Sequence, residues 1–187
     1  MCSSEDSADQ TGEVAALRDV GIFSQLTASE LADISELLVE RSFAAGSIIF
    51  EVGDPGDSCY VITAGTTQIL QGGIGSERIM AELDATSVLG EGCLLHNEPR
   101  SATAKAKTDV TALRLSRSDF DHLLEEDHLG AYRMVLSMAA ELHRRLRETT
   151  NLLYGLLLNP VPGEAPAGAE PDLHGLRDKI EREWSVY

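Results

Sequence analysis

The residues best suited to chemistry lie in one stretch, Leu89-Gly90-Glu91-Gly92-Cys93-Leu94-Leu95-His96-Asn97-Glu98-Pro99-Arg100-Ser101-Ala102-Thr103. Gly90 lets the backbone approach a ligand closely, and the residues after it, Glu91, Gly92 and Cys93 among them, can form one helical turn whose leading amides point at an anion. A carboxylate at Glu91 cannot be aimed at that same anion and is better suited to accepting a hydrogen bond from a sugar hydroxyl. Arg100 carries the planar fork of donors that grips a phosphate. Ser101 and Ala102 can add backbone N–H donors, and Ser101 a hydroxyl as well. The chemistry open to this set is therefore the binding of a small phosphate-bearing ligand. The plainer alternative is a surface pair between Glu91 and Arg100, worth only ~0–1 kcal/mol.

Other chemistries find little support. His96, His122, His128, His143 and His174 show no zinc-ligand spacing, and neither a nucleophile–base arrangement nor a G-x-S-x-G elbow is found, so no catalytic and no metal-binding residues are assigned. Cys2, Cys59 and Cys93 lack paired metal spacing and make no disulfide framework, which fits reduced thiols in the cytoplasm. The formal net charge of −16, from 31 acidic and 15 basic residues, repels nucleic-acid backbones and anionic lipid surfaces. A pocket for an anion must then be built locally from N–H groups and one or two arginines. No run approaches the ~18 apolar residues of a membrane span, and Met1 to Gln10 has no apolar leader, so the chain is expected to be neither secreted nor inserted.

Positioning such a site needs a scaffold, and 187 residues with 43% hydrophobic and 25% charged content suffice for one main core. Residues 1–13 read as an acidic flexible tail. From Val14 to Val39 apolar residues recur at helical spacing, and Thr27 with Glu30 makes a capping box that starts a fresh helix, so two short helices are predicted. Between Val39 and Leu115 the pattern changes to short runs, SIIFEV, CYVITAG, TQIL, ERIMAEL, ATAKAK and TALRLS, punctuated by GDPGD and GGIGS. Closely spaced short strands of this kind predict a rolled antiparallel sheet. Helical spacing returns at Ser118, and a long helix is predicted from about Gly130 to Leu158. Its Leu142, Leu146, Thr149, Leu153 and Leu156 alternate four- and three-residue steps, the average of a seam between helices, which suits either a homodimer or packing on the roll. Pro160 stops that helix, and residues 160–187 read as a Pro/Ala/Gly linker with a short amphipathic tail.

Taken with its flanks, the stretch Leu89 to Thr103 resembles the phosphate-binding cassette of the cyclic nucleotide-binding domain family, approximately F-G-E-x-A-L, a short gap, then P-R-x-A-T. Gly90, Glu91, Leu94, Pro99, Arg100, Ala102 and Thr103 keep that register without insertion. Gly46, Gly53, Gly56, Tyr60 and Gly65 are similarly placed, and the resemblance covers about Val20 to Leu158. It implies an α+β fold, an eight-stranded antiparallel, jelly-roll-like β-roll over residues 14–128 with N-terminal helices, followed by a long C-terminal helix over 129–159 that acts as lid and dimer element. It implies that Glu91 holds the ribose 2′-hydroxyl and Arg100 the cyclic phosphate, with the N–H groups of Ser101 and Ala102 assisting. Arg144-Arg145-Leu146 followed by Thr149 and Thr150 looks like the long helix of family members of the catabolite-activator type, in which hydroxyl residues meet the adenine amino group across a dimer. The departures are Gly92 and Cys93, in place of a larger aliphatic residue and Ala, and Thr86-Ser87 in place of the usual Gly-Asp. Gly92 loosens the cassette turn by about 1 kcal/mol.

The resulting expectation is a non-enzymatic receptor for cyclic AMP, or else cyclic GMP, with no cofactor, acting as a homodimer on a protein partner and touching neither nucleic acid nor membrane. A transcription regulator would need a helix-turn-helix with a basic recognition helix, and the stretch after Pro160 is short and acidic. A ligand-free scaffold is the third alternative, opposed by the intact Glu91 and Arg100.

Overall fold

The computed structural model describes residues 17–71 and 78–158. The acidic tail, the GGIGS turn, Cys2, His174 and everything expected of residues 160–187 lie outside these. The chain divides into two compact units, Met1–Glu141 and Leu142–Tyr187.

In the first unit a 3-10 turn, Gly21–Phe23, precedes helix α1, Ala28–Ser35. The predicted capping box is present: Thr27 Oγ1 accepts from the Glu30 amide, and Glu30 Oε2 accepts from the Thr27 amide at 2.8 Å. The helical spacing read as far as Val39 ends earlier, because Val39 is taken up by a strand. Eight strands follow: β1 Val39–Phe43, β2 Ile48–Phe50, β3 Ser58–Ala64, β4 Thr67–Gln71, β5 Arg78–Leu83, β6 Val88–Leu89, β7 Thr103–Ala106 and β8 Val110–Ser116. Helix α2, Gly92–Leu95, interrupts them, and α3, Arg117–Glu125, and α4, Leu129–Leu158, complete the order.

Two four-stranded sheets form, ordered β1-β8-β3-β6 and β2-β7-β4-β5, with every pairing antiparallel. In the first sheet β3 and β8 place apolar side chains on both faces, and period-two alternation decides which side chain goes where. Cys59 and Val61 of β3, with Leu113 and Leu115 of β8, join Leu31, Ile34, Phe120, Met134 and Met138 of the helices in one core. Tyr60 and Ile62, with Val110 and Ala112, face the other way and close the interior of the roll with Phe43, Phe50 and Leu89. Phe23 and Phe120 are fully buried, and emptying either position would cost about 3–5 kcal/mol. This is the eight-stranded roll with flanking helices that the sequence implies. The second unit contains the part of α4 beyond Glu141.

Candidate functional site

Arg100 stands just before β7 and is pinned through its backbone: its amide donates to the Asp54 carbonyl at 2.8 Å, and its carbonyl accepts from the Gly53 amide at 2.9 Å. The Gly53–Pro55 loop thus aims the side chain into the roll. There the side chain is only 5% exposed. Nη2 donates to the Ser58 carbonyl at 2.6 Å and Nη1 to the Gly90 carbonyl at 3.4 Å. The Phe50 ring lies under it, with Cζ 4.2 Å from the centroid, a favourable face for a cation. Nε is buried and has no acceptor among the described residues. The Asp57 carboxylate lies 3.7 Å from Nη2, but its side chain is 67% exposed, so it compensates the buried charge only in part.

The cassette turn is built around that guanidinium. Gly90 has φ +69, a conformation that favours glycine, and leads through Glu91, the N-cap of α2, into a single turn. The thiol of Cys93 donates to the Ser58 carbonyl at 3.1 Å, the same oxygen that Arg100 holds, so one carbonyl ties α2 to the arginine. Arg117 Nη1 grips the turn at the Cys93 carbonyl, 2.7 Å away. Gly56 makes room below, since a Cβ there would lie 2.8 Å from the Cys93 Cβ. Burial pushes the Cys93 thiol up, with Arg100 opposing, and burial pushes Cys59 up to about 12. Asp57 is held below the ordinary carboxylate range, first by the hydrogen bond from the Ser58 hydroxyl and then by the charges of Arg114 and Arg100.

Of the residues singled out in the sequence, Gly90, Cys93 and Arg100 are joined by these contacts. Glu91 and Gly92 lie in the same turn, Glu91 half-buried and Gly92 with open space around it. Ser101, exposed, and Ala102, half-buried, carry the chain from Arg100 into β7. Thr149 and Thr150 stand on α4 within the second unit, where Thr149 Oγ1 donates to the Arg145 carbonyl at 2.9 Å. Sequence reasoning missed Phe50, Asp57, Ser58 and Arg114 as neighbours of the site. For Asp57 and Ser58 the available signal was the GDPGD turn running into β3. For Arg114 it was a charge inside the apolar run TALRLS. Among the described residues no group of His, Cys, Asp and Glu is arranged to hold a metal, and no helix is long and apolar enough to cross a membrane.

Residues 40–127 match the family model described as cyclic nucleotide-binding domain. The chain is 35% identical over 110 residues to a cAMP-dependent protein kinase regulatory subunit of Emericella nidulans, an alignment covering 59% of this chain and 26% of that protein, so the chain spans about a quarter of this curated relative. The N-terminal domain of a transcriptional regulator from Streptomyces coelicolor superposes with a TM-score of 0.62 at 31% identity, covering 73% of this chain and 95% of that one. The catabolite activator protein of Thermus thermophilus gives a TM-score of 0.64 at 31% identity, covering 73% and 62%. With an eight-stranded roll, an uninterrupted cassette and a buried arginine at its centre, the chain belongs to the cyclic nucleotide-binding domain family.

Proposed function

We propose that this chain is a cytoplasmic receptor for a cyclic nucleotide, cyclic AMP in preference to cyclic GMP, which reports occupancy to a protein partner and performs no chemistry of its own. The observation that carries this reading is Arg100: a guanidinium buried in the roll, seated on Phe50, with Nε unpaired among the described residues and only a solvent-exposed carboxylate against its charge. A phosphate oxygen meets both needs at once, because it accepts the donor and neutralises the cation. In this reading Arg100 holds the cyclic phosphate, Glu91 the ribose 2′-hydroxyl, and the amides of Ser101 and Ala102 assist. Gly90, Gly92 and Cys93 shape the turn, and Thr149 and Thr150 serve the adenine amino group.

Signalling then requires that the ligand bind one arrangement of the protein more tightly than another, since only differential affinity shifts a population. The long helix is the element proposed to respond, and to join two copies: Leu142, Leu146 and Leu153 are all exposed in the single chain. The acidic balance of the chain supports a protein partner over a nucleic acid.

Calorimetric titration with cyclic AMP and cyclic GMP tests the reading. One site per chain is expected, and Arg100→Ala should weaken binding by roughly ten- to a hundredfold, the size of a lost charge-assisted hydrogen bond of about 1.5–3 kcal/mol. Equal affinity in the variant and the parent would remove the cassette from the account.

A further inference from the structure

Arg114 lies in the interior-facing series of β8. The register sets it opposite Tyr60 and sets Ala112 opposite Ile62, and those neighbours line the roll, while Leu113 and Leu115 pack towards the helices. A charge that follows Val110 and Ala112 on this face has to be compensated where it stands. Its side chain is three-quarters buried, 25% exposed, and Nη2 donates to Asp57 Oδ2 at 3.3 Å. The other oxygen of the same carboxylate, Oδ1, lies 3.7 Å from Arg100 Nη2 and accepts from the Ser58 hydroxyl at 2.8 Å. Two guanidinium groups, from β8 and from the cassette, therefore share one carboxylate on its two oxygens.

That carboxylate is a fixed anion beside the group that grips the ligand's phosphate. Any anion arriving at Arg100 has to coexist with Asp57, and the cost of doing so depends on how well the Asp57 charge is met from elsewhere. Arg114 is the cation placed to meet it. We infer that Arg114 is a positioning residue for ligand binding: by holding Asp57 it determines how fully Arg100 is available to the cyclic phosphate. The inference rests on the reading of Arg100 as the phosphate ligand. Loss of Arg114 leaves Asp57 with Arg100 as its nearest cation, which both occupies the arginine and repels the incoming anion. Loss of Asp57 removes the competitor and makes Arg114 irrelevant to affinity. A direct contact between Arg114 and the ligand predicts the opposite, namely that the arginine matters with or without Asp57.

Calorimetric titration with cyclic AMP of the parent, Arg114→Gln, Arg114→Lys, Asp57→Asn and the Asp57→Asn/Arg114→Gln double variant separates these outcomes. Arg114→Gln should weaken binding roughly three- to tenfold, the size of coupling between neighbouring charges. Arg114→Lys keeps the charge and should restore most of that loss, which a purely structural role of the guanidinium would not allow. In the Asp57→Asn background the same Arg114→Gln change should leave affinity within roughly twofold. An equal loss in both backgrounds, or no loss in the parent background, overturns the inference. Should Arg114→Gln not fold, Asp57→Asn alone decides: binding at least as tight as the parent supports the inference, and weaker binding defeats it. A parent that binds neither nucleotide defeats the receptor reading itself, whereas a parent that binds without sensitivity to Arg114 defeats this inference alone.

Discussion

Gly90 and Arg100 fit together because residue 90 has no side chain: a Cβ there would overlap Nη1 of the guanidinium and lie 3.2 Å from its Cζ. The backbone at Gly90 also has φ +69, so the position is doubly restricted. Gly90→Ala should displace the arginine and strain the turn together. The expected outcome is a stability loss of about 1–2 kcal/mol from the backbone alone, read by denaturant unfolding, with cyclic AMP affinity falling at least as far as in Arg100→Lys. A variant that keeps parental affinity would show that the guanidinium tolerates another seat.

Thr86 has φ +71, in the turn where its amide donates to the Ile62 carbonyl at 2.9 Å and the Ser87 carbonyl accepts from the Ile62 amide at 2.9 Å. A β-branched residue there is strained. Its side chain is exposed, so little packing is at stake. Thr86→Gly should stabilise the protein by roughly 0.5–1 kcal/mol, the relief of left-handed strain less the entropy that glycine adds to the unfolded chain. A lower midpoint in denaturant would indicate that the hydroxyl makes a compensating contact.

Burial holds Cys59 neutral up to about 12, against 9.0 for an ordinary thiol. The folded state thus keeps a proton that the unfolded chain releases first, and the associated stability is fully present below pH 9 and is lost as pH rises from there towards 12. Stability measured at pH 8 and pH 10 should fall over that interval, and Cys59→Ala should flatten the slope after allowance for its own cavity. Under native conditions at pH 8, Cys59 and Cys93 should react with a thiol reagent only at the rate of opening, because both are buried. Fast labelling of either in the folded protein would contradict the structure.

Leu142, Leu146 and Leu153 expose apolar surface along α4, at 41%, 48% and 50%. If the stripe joins two copies, Leu146→Glu/Leu153→Glu should convert a dimer to a monomer in light scattering while leaving the roll folded. A parent that is monomeric with and without ligand would assign the stripe to another role.

Much of the molecule was legible because its signals are local. The Thr27–Glu30 capping box, the one-turn α2, the helical spacing from Ser118 that becomes α3 and the length of α4 each depend on residues within a turn or two of one another. Two strands escaped that reading. β1, Val39–Phe43, is largely exposed and polar, and is a strand because it pairs with β8; β6, two residues long, is a strand because it pairs with β3.

By itself the sequence determined the periodicities, the turns and the cassette register, and with them the family and the candidacy of Glu91 and Arg100. What only the tertiary structure decided is the company Arg100 keeps: the Phe50 ring beneath it, the Ser58 carbonyl it shares with Cys93, and the Asp57 carboxylate it shares with Arg114. Those residues come from β2, the turn before β3, the first residue of β3, α2 and β8, and their meeting depends on strand register and sheet order. A shift of one residue in β8 would turn Arg114 away from the roll interior, because side chains alternate faces along a strand. Such pairings are set by contacts between distant segments, which is why local spacing shows the presence of a charge but not its partner.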